Sequence, residues 1–161
     1  TQENHKRSAE TIMEYLRQGH DVAMLNIGDI SIYSTCSYIL NIIEKNGFET
    51  EVCAGVPSFC AAAARLKKPL VSRKEVLVVA PGYTDELESL MSVNGTKVIM
   101  KSGKHMNRVK KLVEKYGMSD NTIIVESCGL ENERIHYGID ETENGYFSLM
   151  IIKTSEENDN A

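Results

Sequence analysis

Leu25-Asn26-Ile27-Gly28-Asp29-Ile30-Ser31-Ile32-Tyr33-Ser34-Thr35 is the stretch on which the fold turns. The short apolar run 22–27 has the length of a buried strand. Beyond the stretch, residues 35–45 carry Ile39, Ile42 and Ile43 at helical spacing, a core face rather than a partner surface, and Asn46-Gly47 stops the pattern. A strand therefore runs through a Gly-Asp turn into a helix. In open α/β sheets, ligands bind outside the carboxyl ends of such strands. Gly28 lets the backbone come close to a ligand, and Asp29 offers an acceptor to an amine or hydroxyl. A plain turn with Asp29 as its cap accounts for the same spacing.

Working outward, residues 5–18 read as a helix with Ile12, Met13 and Leu16 on one face and Gly19 as its C-cap. Residues 48–53 read as a second strand. Gly55-Val56-Pro57 is a turn, and Ser58 is placed to cap a helix over 59–66. The four alanines 61–64 permit close packing. The pattern breaks over 69–74, which sets a lobe boundary: residues 1–72 form one α/β lobe and 73–154 a second. In the second, strands 76–80, 97–100 and 122–126 alternate with helices 85–92 and 105–116. The crossover strands are expected to be parallel and connected right-handed. Strands 133–137 and 147–153 follow with no helix between them and are expected to pair antiparallel, giving a mixed sheet. The acidic tail 155–161 is expected to be disordered. Only two strands precede Pro69, so a parallel first sheet would be thin, with exposed edges. We expect it to be truncated, with its beginning missing.

Composition narrows the function classes. The 161 residues are 42% hydrophobic and 25% charged, as in a soluble globular protein. No run of about 18 apolar residues suggests a membrane span, and residues 1–7 resemble neither a signal nor a transit peptide. The formal net charge of -5 disfavours nucleic acid. The dense basic stretch 104–115 reads as a solvated helix face. Cys36, Cys53, Cys60 and Cys128 form no C-x-x-C pair and stand in apolar stretches, as buried free thiols do. This usage suits a reduced, cytoplasmic protein. His5, His20, His105 and His136 are scattered, with no zinc spacing.

The segment Gly28-Asp-Ile-Ser-Ile-Tyr-Ser-Thr35 resembles the Gly-Asp-Pro-x-x-Tyr signature of the tetrapyrrole (corrin/porphyrin) methylase family. Within it, the wording is similar to the branch that methylates carbon 20 of precorrin-2 or cobalt-factor II. Ile30 stands where the family has proline, which removes a φ restraint from the loop. The string Ala54-Gly-Val-Pro-Ser-Phe59 followed by alanines is similar to a second string of that branch. Val98-Ile-Met-Lys-Ser-Gly-Lys104 and Ile124-Val-Glu-Ser-Cys-Gly129 resemble strand ends of the family's second lobe, though ordinary strand ends fit them nearly as well. The resemblance covers roughly residues 8–153 and lacks the family's N-terminal strand with its Gly-x-Gly-Pro-Gly-Asp loop.

The resemblance implies a two-lobed α/β fold with S-adenosylmethionine (SAM) in the cleft between lobes, and a tetrapyrrole in a trough formed mainly by the first. It implies cofactor contacts at Ile27, Gly28, Asp29, Ile32, Pro57, Ser58, Met100, Lys101, Ser127 and Cys128. Tyr33, Ser34 and Thr35 become substrate-binding candidates, with helix start and packing as the plain alternative. No catalytic residue and no protein-bound metal are assigned, since any cobalt arrives inside the substrate. The implied protein is a cytoplasmic SAM-dependent methyltransferase of cobalamin biosynthesis, a homodimer at full length, with no nucleic-acid or membrane partner. This chain alone is expected to be nearly inactive. The alternatives are a family member acting on another tetrapyrrole carbon, a protein or ribosomal RNA, and a non-catalytic nucleotide-binding module.

Overall fold

The computed structural model describes residues 1–139 and 148–153. The tail 155–161 and the first residue of the expected strand 147–153 lie outside the described residues. The chain divides into two compact units, Thr1–Pro57 and a second that begins at Ser58.

Unit 1 is built on two helices, α1 (Gln2–Arg17) and α2 (Cys36–Lys45). Their apolar positions recur every three or four residues, so each helix has one face to bury. Ala9 and Met13 of α1 meet Ile39 and Ile43 of α2, with Ile12, Leu16, Ile42 and Phe48 closing the edges. His5 stacks on Tyr38, ring centroids 5.3 Å apart.

The expected parallel sheet of the first lobe is not formed: among the described residues no strand precedes Leu77. Segments 22–27 and 48–53 are irregular, with Leu25 and Ile27 92% and 90% exposed. The physical reason is pairing. A strand exists only by exchanging main-chain hydrogen bonds with a neighbour. Asn26 of the first segment instead accepts the Ser34 hydroxyl, Thr50 of the second donates to Glu44, and beyond the two segments Asp29 accepts the Gly55 amide.

Unit 2 opens with α3 (Ser58–Leu66), which buries Phe59 and Ala62 and packs against strand β5. The expected boundary at 72/73 therefore differs from the observed division at 57/58, because this helix belongs with the second sheet. The sheet contains β1 (Leu77–Pro81), β2 (Thr96–Met100), β3 (Thr122–Glu126), β4 (Arg134–Tyr137) and β5 (Ser148–Ile152), in the order β1-β2-β5-β3-β4. β1 and β2 are parallel, and β5 runs antiparallel to both β2 and β3.

The last two strands do not pair with each other. Each pairs antiparallel with β3, on opposite sides of it. Composition decides this arrangement. Every residue of Ser148-Leu-Met-Ile-Ile152 is buried, which a central position requires. Arg134-Ile-His-Tyr137 is exposed at both ends and takes an edge.

α4 (Leu87–Met91) and α5 (Met106–Lys115) cover one face of the sheet. Leu87, Met91, Met106, Val109 and Val113 pack there on Ala80, Ile99, Ile124, Met150 and Ile152. Each fully buried side chain of this size contributes about 1.5–3 kcal/mol. The basic stretch is largely a solvated face, with Lys115 paired to Glu88 at 2.5 Å, but Lys110 is buried. Cys36 is buried as expected of a free thiol. Cys53 and Cys60 are exposed, because the irregular segment and the outer face of α3 carry them, and all four thiols are free. No helix of the described residues is long and apolar enough to cross a membrane.

Candidate functional site

In unit 1 the Gly-Asp turn is closed by the Asp29 carboxylate. Its Oδ1 accepts the Ser31 amide at 2.8 Å and the Ser31 hydroxyl at 2.5 Å. Its Oδ2 accepts the Gly55 amide at 2.8 Å. The Ser31 hydroxyl, the Ser31 amide and then the Gly55 amide hold the Asp29 carboxyl below its ordinary range, against a weaker opposing effect of burial. Three donors use most of the four acceptor positions of a carboxylate. Asp29 therefore acts first as the tie between two loops.

Gly55 was not among the residues expected at the site. A Cβ there would lie 2.2 Å from the Gly28 carbonyl oxygen, so the two backbones touch. Gly28 itself sits at φ 92°, a region that favours glycine. A glycine ahead of Val-Pro was the available signal. What it lacked was any local sign that its neighbour would be Gly28, 27 residues earlier.

The substrate-binding candidates lie at the start of α2. The Ser34 hydroxyl donates to Asn26 Oδ1 at 3.1 Å and accepts the Cys36 amide at 3.2 Å. The plain alternative, a helix start, thus describes what Ser34 does. Thr35 is the N-cap residue of α2 but makes no capping bond through its side chain. Tyr33 is 39% exposed and stands at φ 49°, costly for a residue with a Cβ. Ile27 is almost fully exposed, and Ile32 and Pro57 are half-buried.

In unit 2 the register defines a second group. Ile99 of β2 and Ile124 of β3 both pair with Met150 of β5, so the two strands run parallel at the same level. Pro81 pairs with Met100, which brings β1 to the same edge. The segments that follow these strand ends hold Gly82, Lys101 and Ser127. Met100, Lys101, Ser127 and Cys128 therefore share one end of the sheet, the end where open α/β sheets bind ligands. Ser58, at the N-terminus of α3, belongs to the same unit.

Two features mark this edge as more than ordinary strand ends. Lys101 and Ser127 stand at φ 51° and 48°, one immediately after each strand. Left-handed non-glycine residues cost of order 1–3 kcal/mol each and cluster at functional sites. The Ser102 hydroxyl is also fully buried and has no hydrogen-bond partner among the described residues. Beside it, a Cβ on Gly82 would lie 2.9 Å from Ser102, so this approach too needs glycine.

The β3–β4 connection is closed by Glu133. Its Oε1 accepts Arg65 Nε of α3 at 2.6 Å, and its Oε2 accepts the Gly129 amide at 2.8 Å. These bonds, the Gly129 amide foremost, hold the Glu133 carboxyl below its usual range. Burial first, and the facing Glu133 charge second, push the Cys128 thiol up. Among the described residues no group of three or more His, Cys, Asp or Glu is placed to hold a metal ion.

Residues 1–139 match the family model of the tetrapyrrole (corrin/porphyrin) methylases. The chain belongs to this family. Over 159 residues this methylase is 35% identical to the probable cobalt-precorrin-2 C(20)-methyltransferase of Methanocaldococcus jannaschii, covering 94% of the chain and 67% of that protein. It is 28% identical to a precorrin-2 C(20)-methyltransferase of a Sinorhizobium species, over 92% of the chain and 62% of the relative. The methylase thus spans about two thirds of these relatives. Its fold is that of the uroporphyrin-III C-methyltransferase of Thermus thermophilus complexed with S-adenyl homocysteine. The TM-score is 0.74 at 20% identity, over 92% of the chain and 72% of the solved one.

Proposed function

We propose that this methylase is a SAM-dependent C-methyltransferase of cobalamin biosynthesis that acts on carbon 20 of precorrin-2 or cobalt-factor II. The observation that carries the reading is the 35% identity sustained over 94% of the chain with a relative named for that reaction. The strings around Gly28 and Ser58 support the same branch.

The residues of unit 2 fit an adenosyl ligand. The left-handed Lys101 and Ser127, the buried Ser102 hydroxyl (unpartnered among the described residues) and the glycine at 82 together offer polar groups and close backbone approach at one sheet edge. We assign Ser58, Met100, Lys101, Ser127 and Cys128 to that ligand. Ile27, Gly28, Asp29, Ile32 and Pro57 of unit 1 are assigned to it on the family resemblance, and Tyr33, Ser34 and Thr35 to the tetrapyrrole. When bound, SAM supplies a methyl group already activated by its sulfonium charge. The new bond forms from the electron-rich meso carbon 20, the carbon–sulfur bond breaks, and the meso proton is then lost. The protein's part is to bind, align and exclude water. A resident metal is not needed for this chemistry. Four free thiols support a reducing, cytoplasmic setting, and a homodimer follows from the family resemblance.

Calorimetric titration with S-adenosylhomocysteine tests the reading, on the 161-residue chain and on a form extended in front with the family's strand and glycine loop. Binding by the extended form, together with transfer of a labelled methyl from SAM to precorrin-2 or cobalt-factor II, is the expected result. Absence of binding in both forms overturns it.

A further inference from the structure

We propose that Glu133 is a positioning residue for the adenosyl ligand. It fixes the Ser127–Gly129 segment in its binding conformation and is itself held by Arg65 of α3. This inference rests on the methyltransferase reading and extends it to two residues outside the assigned contacts.

The argument starts from strain. Ser127 is held at φ 48° although serine has a Cβ. Such a conformation persists only when its surroundings over-determine it. Two turn bonds follow it, from Leu130 N–H to the Ser127 carbonyl at 2.9 Å and from Glu133 N–H to the Leu130 carbonyl at 3.1 Å. The first closes a β-turn around Cys128 and Gly129 by its main-chain ends alone. The Glu133 carboxylate adds a second hold inside that turn, by accepting the Gly129 amide and the Cys128 thiol. Its other oxygen is taken by Arg65, so the carboxylate cannot rotate away without breaking an ion pair. The Glu133 side chain is 12% exposed and the Arg65 side chain 64%. The carboxylate is thus the enclosed member, and the guanidinium spans from solvent to reach it. Arg65 lies in the last turn of α3, and Ser58 begins the same helix. One carboxylate therefore connects two elements that each carry an assigned ligand contact.

A substitution that merely loosened the fold would weaken ligand binding too, so the test includes a chemical readout on Cys128. Burial first and the facing carboxylate second push that thiol up. In Glu133→Gln the charge is gone while Arg65 remains, and Cys128 becomes more acidic. Its alkylation by iodoacetamide at pH 8, resolved from Cys36, Cys53 and Cys60 by peptide mass spectrometry, is expected to quicken severalfold. S-adenosylhomocysteine affinity, measured on the form that binds it, is expected to fall roughly tenfold, the scale of one lost charge-assisted contact. Glu133→Asp should recover part of both, and Arg65→Met should reproduce the affinity loss in a variant that keeps Glu133. Unchanged affinity and alkylation in Glu133→Gln, with binding by the wild type intact, overturn the positioning role and leave the methyltransferase reading standing. Failure of the wild type itself to bind overturns both.

Discussion

The Gly55 amide donates to Asp29 Oδ2 at 2.8 Å, and the Gly55 Cα lies so close to the Gly28 carbonyl that no Cβ fits between them. One hydrogen bond and one close approach thus join two loops of unit 1 that carry no strand ladder. The first two predictions follow from this pair.

Because Asp29 is held below its ordinary pKa, its bonds stabilise the folded state fully above the unfolded value near 3.8. That contribution is lost as pH falls from there through the lower folded value. The stability difference between wild type and Asp29→Asn should therefore be flat at neutral pH and shrink only in strong acid. A carboxyl-carbon NMR titration should place the Asp29 midpoint below 3.8. A midpoint at or above it would show that the three donors are not engaged.

Gly55→Ala puts a methyl 2.2 Å from a backbone oxygen, which cannot swing aside as a side-chain tip does. The expected cost is about 1–3 kcal/mol, the usual penalty of overpacking. Urea denaturation measures it. Faster hydrogen exchange at the Ser31 and Gly55 amides should locate the damage in the two loops.

Ser127→Gly should relieve a left-handed serine and raise stability by about 1 kcal/mol. Thermal unfolding would show the gain. Ser127→Ala at the same site relieves nothing and should show none. If glycine destabilises instead, the serine side chain contributes more than its backbone strain costs.

Met150 is fully buried and stands between Ile99 and Ile124 in the ladder of β5. Met150→Ala should cost about 2–5 kcal/mol. Tyr137→Ala, on the exposed edge strand, should stay within about 0.5 kcal/mol. Equal effects from the two would contradict the strand order.

The helices were legible because their apolar spacing is local. The Ile12, Met13 and Leu16 stripe and the Ile39, Ile42 and Ile43 stripe each became a packed face of unit 1. The five strands of unit 2 were legible for the same reason, as short, largely apolar runs bounded by turn residues. The run 22–27 is as apolar as those strands and forms none. An apolar run states that it prefers cover, not that a partner is at hand. The candidate site was legible at Lys101 and Ser127 only as strand ends; their left-handed backbone has no signature in the residue types. Glu133 gave no signal, since a glutamate ahead of a strand is ordinary until Arg65 and Gly129 are brought to it.

The sequence by itself determined the α/β class, the order of helices and strands in unit 2, and the family, through strings that name their own neighbours along the chain. Only the tertiary structure decided that β5 inserts between β2 and β3, that α3 joins the second unit, and that Asp29 and Glu133 each join segments distant in sequence. Periodicity and turn chemistry act over a few residues and are written where they act. Sheet order and carboxylate partners depend on which surfaces meet once everything is buried together, and no residue carries that information alone.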